Sequence, residues 1–292
     1  AGMFGILVNQ SALEAADAAR LSDSRALALH DGALVRQSQV DFATELADFL
    51  DEHTIELGKN NSADRRELST LVAESPTFRY AALVTDPSGA VLTATRESGL
   101  PPAADTGWAP LHKLVTAGQS GYSSVMRVNG TYVQAVAVPI KVDDDPAGAL
   151  VGLTEVAGTA LQKHVESLKD DTHTTMVVDA DGTIGTTDHP AEMGTPADPA
   201  IRSALAGTGS FRFLEYTTAG GIDMIAAMVG LPGGSAYVRT QTLRSFDGAV
   251  RDQTRTLNLA LVAMLLIGVA AIVTLGLRAT PDRNQGRHRG LV

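Results

Sequence analysis

Two stretches of this chain repeat each other. LVTDPSGAVLTAT begins at Leu83 and VVDADGTIGTTD at Val177. Placing Asp86 on Asp179 puts Gly89 on Gly182 and Val91 on Ile184, an offset of 93 residues. Further along, YVQAVAVPI (132–140) parallels DMIAAMVGL (223–231). Pro146-Ala147-Gly148 before one last strand parallels Pro232-Gly233-Gly234 before the other. Repetition at this scale implies two copies of one small fold, and 292 residues suffice for both.

The second copy opens like a calcium loop, with Asp179, Asp181 and Gly182. An EF-hand loop needs oxygen ligands at its first, third and fifth positions, Gly at the sixth and Glu at the twelfth. Counting from Asp179, the sixth residue is Ile184 and the twelfth is Pro190. The motif therefore predicts a β-hairpin corner, with Asp181-Gly182 supplying the backbone of a tight turn. No metal site and no cofactor are expected. Asp143, Asp144 and Asp145 read as a solvated hairpin tip, because no further ligand lies nearby in sequence.

Each copy reads as two opening strands, a helical crossover and three more antiparallel strands, with helices on one face of a sheet. In the first copy FRYAALVTDPSGAVLTAT and GTYVQAVAVPIKVDDDPAGALVGLTEV are strand–turn–strand units. Residues 108–117 form a short helix, and GYSSVMRV is another strand. A connecting helix is expected over 158–170.

Upstream the period is helical from Ser11 to about Leu57. Phe42, Leu46, Phe49, Leu50 and His53 share one face, with His53 packed at its rim; Leu13, Leu27, Leu34 and Val35 continue the stripe and Gly32 weakens it. A second helix starts at about Ala63, with Ser62 as N-cap, and stops before Pro76.

Residues 257–277 carry no charge. At 1.5 Å per residue they reach roughly 31 Å, the thickness of a bilayer core. A transmembrane helix is expected there. Arg278, Arg283, Arg287 and Arg289 follow it against the single Asp282, which places the C-terminus in the cytoplasm. The net charge is −10 although that tail is basic, so the body is acidic and unsuited to nucleic acid. The opening AGMFGILVNQ suits the end of an earlier membrane helix better than the tail of a signal peptide. With no cysteine, disulfides, thiolate metal sites and Cys nucleophiles are excluded.

In their order and spacing, VTDPSGAVLTAT, GYSSV with YVQAVAVPI and GALVGLTEV, and VVDADGTIGTTDHPAEMG resemble the double Cache ectodomains of bacterial receptors. The resemblance implies an α+β fold: a long N-terminal helix, two PAS-like antiparallel-sheet modules and one transmembrane helix. It divides the chain into 1–9, the end of a preceding membrane segment; 10–67, the long helix and loop; and 68–156, a membrane-distal module. After these come 157–171, a connecting helix; 172–256, a membrane-proximal module with a juxtamembrane helix; the span 257–277; and the tail 278–292.

The family binds small molecules in the distal module and signals through the membrane. Its amino-acid-binding members carry Arg-x-Trp-Tyr at the crossover helix, a Tyr on the next strand and an Asp on the last. Arg clamps the ligand carboxylate. Here Trp108 and Tyr122 match, but Thr106 replaces the Arg, Ala109 the second aromatic, and Thr154 or Glu155 falls near the Asp. The resemblance thus implies a sensor whose ligand is not an ordinary amino acid. Arg96, Arg127 and Tyr132 are further candidate contacts, each more readily read as a packing or surface residue, and Trp108 suits a core role as well as a ligand wall. Enzyme motifs such as G-x-S-x-G, H-E-x-x-H and the phosphate loops are absent, so no catalytic residue is expected. The alternative to a sensor is an ectodomain that docks a protein partner in the cell envelope. A homodimer through the N-terminal helix is a further expectation.

Overall fold

A computed structural model describes residues 2–57, 59–96, 100–102, 105–143, 145–206, 211–244 and 264, with side chains from residue 18 onward, that of Thr106 excepted. Apart from Met264, the expected membrane span 257–277, the segment leading to it and the tail lie outside these residues. Among the described residues no helix is long and apolar enough to cross a membrane. The chain divides into two units, Ser22–Ser245 and a second made of Ala1–Leu21 with Phe246–Val292. Both sheets belong to the first unit.

Helix α1 (Gly2–Glu52) is followed by α2 (Ser62–Glu74). The N-cap of α2 is Asn61, one residue before the expected Ser62; its Oδ1 accepts from the Ala63 N–H at 2.8 Å. The first module contains β1 (Ala81–Thr85), β2 (Val91–Ala94), a 3-10 turn (Thr106–Trp108) and α3 (Ala109–Thr116). It continues with β3 (Gly121–Tyr122), β4 (Met126–Val128), β5 (Thr131–Val142) and β6 (Asp145–Glu155). After a 3-10 turn (Val156–Gly158), α4 (Ala160–Ser167) leads to the second module. That module has β7 (His173–Val178), β8 (Ile184–Thr187), α5 (Pro199–Leu205), β9 (Phe211–Thr217), β10 (Asp223–Gly230) and β11 (Ala236–Thr242).

Strand order is β2-β1-β6-β5-β3 in the first sheet, with β4 also on β5, and β8-β7-β11-β10-β9 in the second. The two orders are the same pattern. The repeat extends to register: Leu83 faces Ala94 and Met176 faces Thr187, each 93 residues on, and both hairpins carry a bulge at the following step. One difference concerns Pro146, which lies inside β6, whereas Pro232 sits in a 3-10 turn (Pro232–Gly234) ahead of β11.

Side chains alternate across each sheet, as the pleat requires. In the first, Leu83, Ala135, Ala137, Val151 and Leu153 face α3, while Ala82, Val84, Val136, Val138 and Leu150 face α1 and α2. In the second, Val178, Ala226, Met228 and Val238 face α5, while Val177, Ala227, Val229 and Tyr237 face α1 and α4. One helix thus covers both sheets.

The buried stripe of α1 runs through Ala28, Asp31, Gly32, Val35, Gln39 and Leu46. Leu27 and Leu34, expected on it, are 50% and 41% exposed. At Gly32 α1 approaches β10 closely: a Cβ there would lie 2.9 Å from Val229 Cγ1. The glycine that weakened the helical pattern is the one the packing requires. Tyr237 donates its hydroxyl to Asp31 Oδ2 at 3.0 Å and Arg36 donates to the Gly230 carbonyl at 2.9 Å, so α1 is also tied by polar bonds. At its end His53 stacks on Phe49 and meets Glu67 Oε2 at 2.6 Å.

Candidate functional site

The α3 face of the first sheet encloses a cavity of about 110 Å³. Leu83, Val91, Leu100, Pro101, Trp108, Leu111, Val115 and Val151 line it, with Thr85 and His112 as its polar side chains. None of its described lining residues is Asp, Glu, Lys or Arg. Local chemistry sets Trp108 in its wall. Asp105 Oδ1 accepts from the Gly107 N–H at 2.9 Å, closing a tight turn, and Pro110 lies in the first turn of α3, where its missing N–H costs nothing. The indole N–H is spent on the Pro102 carbonyl at 3.1 Å, leaving the rings as an apolar wall. The hairpin closes another side: Gly89 has φ +85°, and a Cβ there would fall 1.5 Å from His112 Cε1.

This turn is also joined to the second module. The expected strand GYSSVMRV is split into β3 and β4 because two successive amides leave the ladder. Ser124 donates its N–H to the Gly107 carbonyl at 2.9 Å, and Val125 donates to Asp179 Oδ2 at 2.7 Å. Asp179, read from sequence as a hairpin corner, is 4% exposed. Burial pushes its carboxyl up to about 8, against the Val125 bond, which favours the charged form. Beside it Val125, Val156 and Met193 form a small apolar cluster with Tyr132, and Gly194 leaves room for the Tyr132 ring, 2.2 Å from where its Cβ would sit.

The structure separates the residues singled out in the sequence. Trp108 is in the α3-face cavity. Tyr122 points to the other face, packs under α1 and donates its hydroxyl to the Gln39 carbonyl. Burial, with the Asp41 charge second, holds that phenol well above its ordinary range. Arg127 is exposed, 5.7 Å from the Tyr132 ring centroid, and Tyr132 belongs to the joint between modules. Arg96 and Thr154 come together in a cleft on the α1 face, apart from Trp108. His112 and Leu111 were missed. Their signal was the spacing from Trp108, which places them on the following helical turn. Nothing local to Asp179 announces its role, because the group it meets comes from the other module.

No family model and no curated protein matches the sequence. Solved structures match its fold. The ligand-binding domain of the amino acid chemoreceptor PctB of Pseudomonas aeruginosa, in complex with L-Arg, is 18% identical with a TM-score of 0.54, over 85% of this chain and 99% of that one. The corresponding domain of PctC from the same organism, in complex with GABA, is 16% identical with a TM-score of 0.52, over 76% and 98%. An extracellular ligand binding receptor from Desulfohalobium retbaense is also 16% identical with a TM-score of 0.52, and this chain spans 74% of its own length but 40% of that protein's. At such identities the likeness is one of fold. The chain has the double Cache fold of extracellular ligand-binding domains of bacterial receptors.

Proposed function

We propose that this chain is the extracytoplasmic sensing part of a membrane-anchored signal-transduction receptor. The first module binds a small molecule, and the change passes through the second module to a transmembrane helix at 257–277, with the C-terminus in the cytoplasm. The observation that carries the reading is the cavity walled by Trp108 in a fold shared with receptor ligand-binding domains. Its lining also argues for the ligand's class. An amino-acid zwitterion would bury two charges against no described charged side chain, which is costly. The ligand is therefore small, neutral and mostly apolar, with one polar group for His112 or Thr85. An apolar cavity of about 150 Å³ holds benzene, so roughly four to six heavy atoms fit here.

Signalling needs only that the ligand favour one of two arrangements. Gly107, next to Trp108 in the chain, and Asp179, in the second module, are held by adjacent amides of Ser124 and Val125. A ligand that shifts Trp108 displaces that pair.

Trp108 is the only tryptophan, so its emission reports directly on the cavity. The 292-residue chain in nanodiscs is titrated with short alcohols and ketones, and with L-Arg and GABA. A saturable change with the neutral compounds, abolished by filling the cavity with Ala149→Leu, is the expected result. Saturation by the amino acids and not by the neutral compounds would overturn the ligand class. Failure of every compound to perturb Trp108 would favour a protein-docking ectodomain.

A further inference from the structure

The α1 face of the first module carries a second opening, a cleft of about 660 Å³. It is larger and more polar than the cavity behind Trp108, and its chemistry is different. Arg79, Arg96 and Lys163 line it against one carboxylate, Glu155. A surplus of positive charge gathers there on a chain whose net charge is −10.

The cations come from three separate parts of the chain: the segment before β1, the segment just after β2 and helix α4. Arg96 is held 5.0 Å from the centroid of the Tyr80 ring, and Arg79 donates Nε to the Ser75 carbonyl at 3.3 Å. Both stems are therefore positioned by the fold.

Two further groups favour an anion. Ala160, at the first position of α4, lines the cleft; the first-turn amides of a helix have no intrahelical acceptor, and here the Thr159 hydroxyl takes only that of Gln162. Thr154 also lines it and offers a neutral hydroxyl to an acidic group.

We infer that this cleft binds a small organic polyanion, bearing two or more carboxylate or phosphate groups, that bridges the first module to helix α4. The volume lies within the range of small-molecule pockets. Two acidic groups are called for because Arg79 and Arg96 lie on the first module and Lys163 on α4. A bridging ligand would restrain α4, the connection to the second module, and so act on the passage between modules. The site is independent of the cavity behind Trp108 and does not require that cavity to bind anything.

Calorimetric titration of the 292-residue chain in nanodiscs with citrate and with pyrophosphate tests this, with sodium chloride at matched ionic strength and acetate as controls. Saturable binding of citrate or pyrophosphate, with acetate weaker by about tenfold or more, is the expected result. The compound that binds identifies carboxylate or phosphate chemistry. Arg96→Gln with Lys163→Gln weakens it by about tenfold or more, and Ala149→Leu leaves it unchanged. Lys163→Glu, an exposed position on α4, gives the same loss should the double variant fold poorly. Three outcomes overturn the proposal: no heat beyond that of chloride at about 10 mM, equal affinity for acetate, or undiminished affinity in Lys163→Glu.

Discussion

Asp86 and Asp179 hold the same place in two copies of one hairpin. Each accepts at its carbonyl from the glycine three residues on, at 2.9 and 2.8 Å, and those glycines have φ +85° and +87°. Their side chains have opposite surroundings. Asp86 Oδ1 folds back on its own turn, accepting from the Ser88 N–H, the Ser88 hydroxyl and the Ala90 N–H. In the second copy Asp181 takes that local duty, accepting from the Thr183 N–H at 3.0 Å. Asp179 is released to reach across to Val125. Room for it comes from Gly185, where a Cβ would lie 2.8 Å from Asp179 Oδ1; the first copy has Leu92 at that place. The backbone of a repeat can be kept while one side chain changes from turn-closer to joint, because two substitutions nearby replace its old bond and clear its new position.

The largest expected effect follows from that contrast. Asp179 has its folded pKa raised from an ordinary 3.8 to about 8. The folded state then holds a proton that the unfolded state has released, so its contribution to stability is complete below about pH 4 and is lost as pH rises toward 8. The slope is at most about 1.4 kcal/mol per pH unit, several kcal/mol across the window. Asp179→Asn keeps an oxygen for Val125 and removes the titration. Urea melts from pH 5 to 8 should show the wild type weakening and the variant nearly flat. Asp86, lowered chiefly by its bond from Ser88, acts in the opposite sense, and its contribution fades as pH falls below the ordinary carboxylate range. Matching slopes for wild type and Asp179→Asn would remove the buried carboxyl from the account.

The hairpin glycines sharpen the same comparison. Any side chain at Gly89 or Gly182 incurs the left-handed backbone cost, about 1–2 kcal/mol. Beyond that the sites differ. Alanine at 89 collides with the His112 ring, in the cavity wall, whereas alanine at 182 meets Arg202 Cδ at 2.7 Å, on an exposed chain that can swing away. Overpacking adds about 1–3 kcal/mol only at the first site. Gly89→Ala should therefore cost roughly 3 kcal/mol and Gly182→Ala about half as much, by chemical denaturation. Equal costs would mean that His112 yields as easily as Arg202, and that the cavity wall is not rigid.

Much of the architecture was legible in the residues, for identifiable reasons. The repeat predicted two modules, and the D-x-x-G turns located both hairpins, because turn chemistry is local. The long period of α1 predicted one extended helix. The face it buries was partly misjudged: Leu27 and Leu34 looked like core, yet Ala28 and Gly32 lie against the second sheet. Close helix–sheet approach selects small residues, and a hydrophobicity pattern selects large ones. Site residues were harder still. Alternation along a strand says that Thr154 and Leu153 face opposite ways, but not which face meets α1 and which meets α3. Trp108 and Tyr122 were grouped by the resemblance to amino-acid-binding receptors, and the sheet lies between them.

The smallest expected effects compare how α1 is tied to each module. Tyr237 is fully buried and gives its hydroxyl to Asp31, itself 5% exposed. Tyr237→Phe leaves a buried carboxylate without that donor and should cost about 2 kcal/mol. Tyr122 gives its hydroxyl to the Gln39 carbonyl, which as a mid-helix acceptor keeps its bond four residues on. Tyr122→Phe should cost less, about 1 kcal/mol or below. It should also leave the response of Trp108 to a neutral ligand intact, because Tyr122 lies on the far side of the sheet. A variant that folds with ordinary stability but no longer responds would place Tyr122 in the ligand site and move the binding surface from the α3 face to the α1 face.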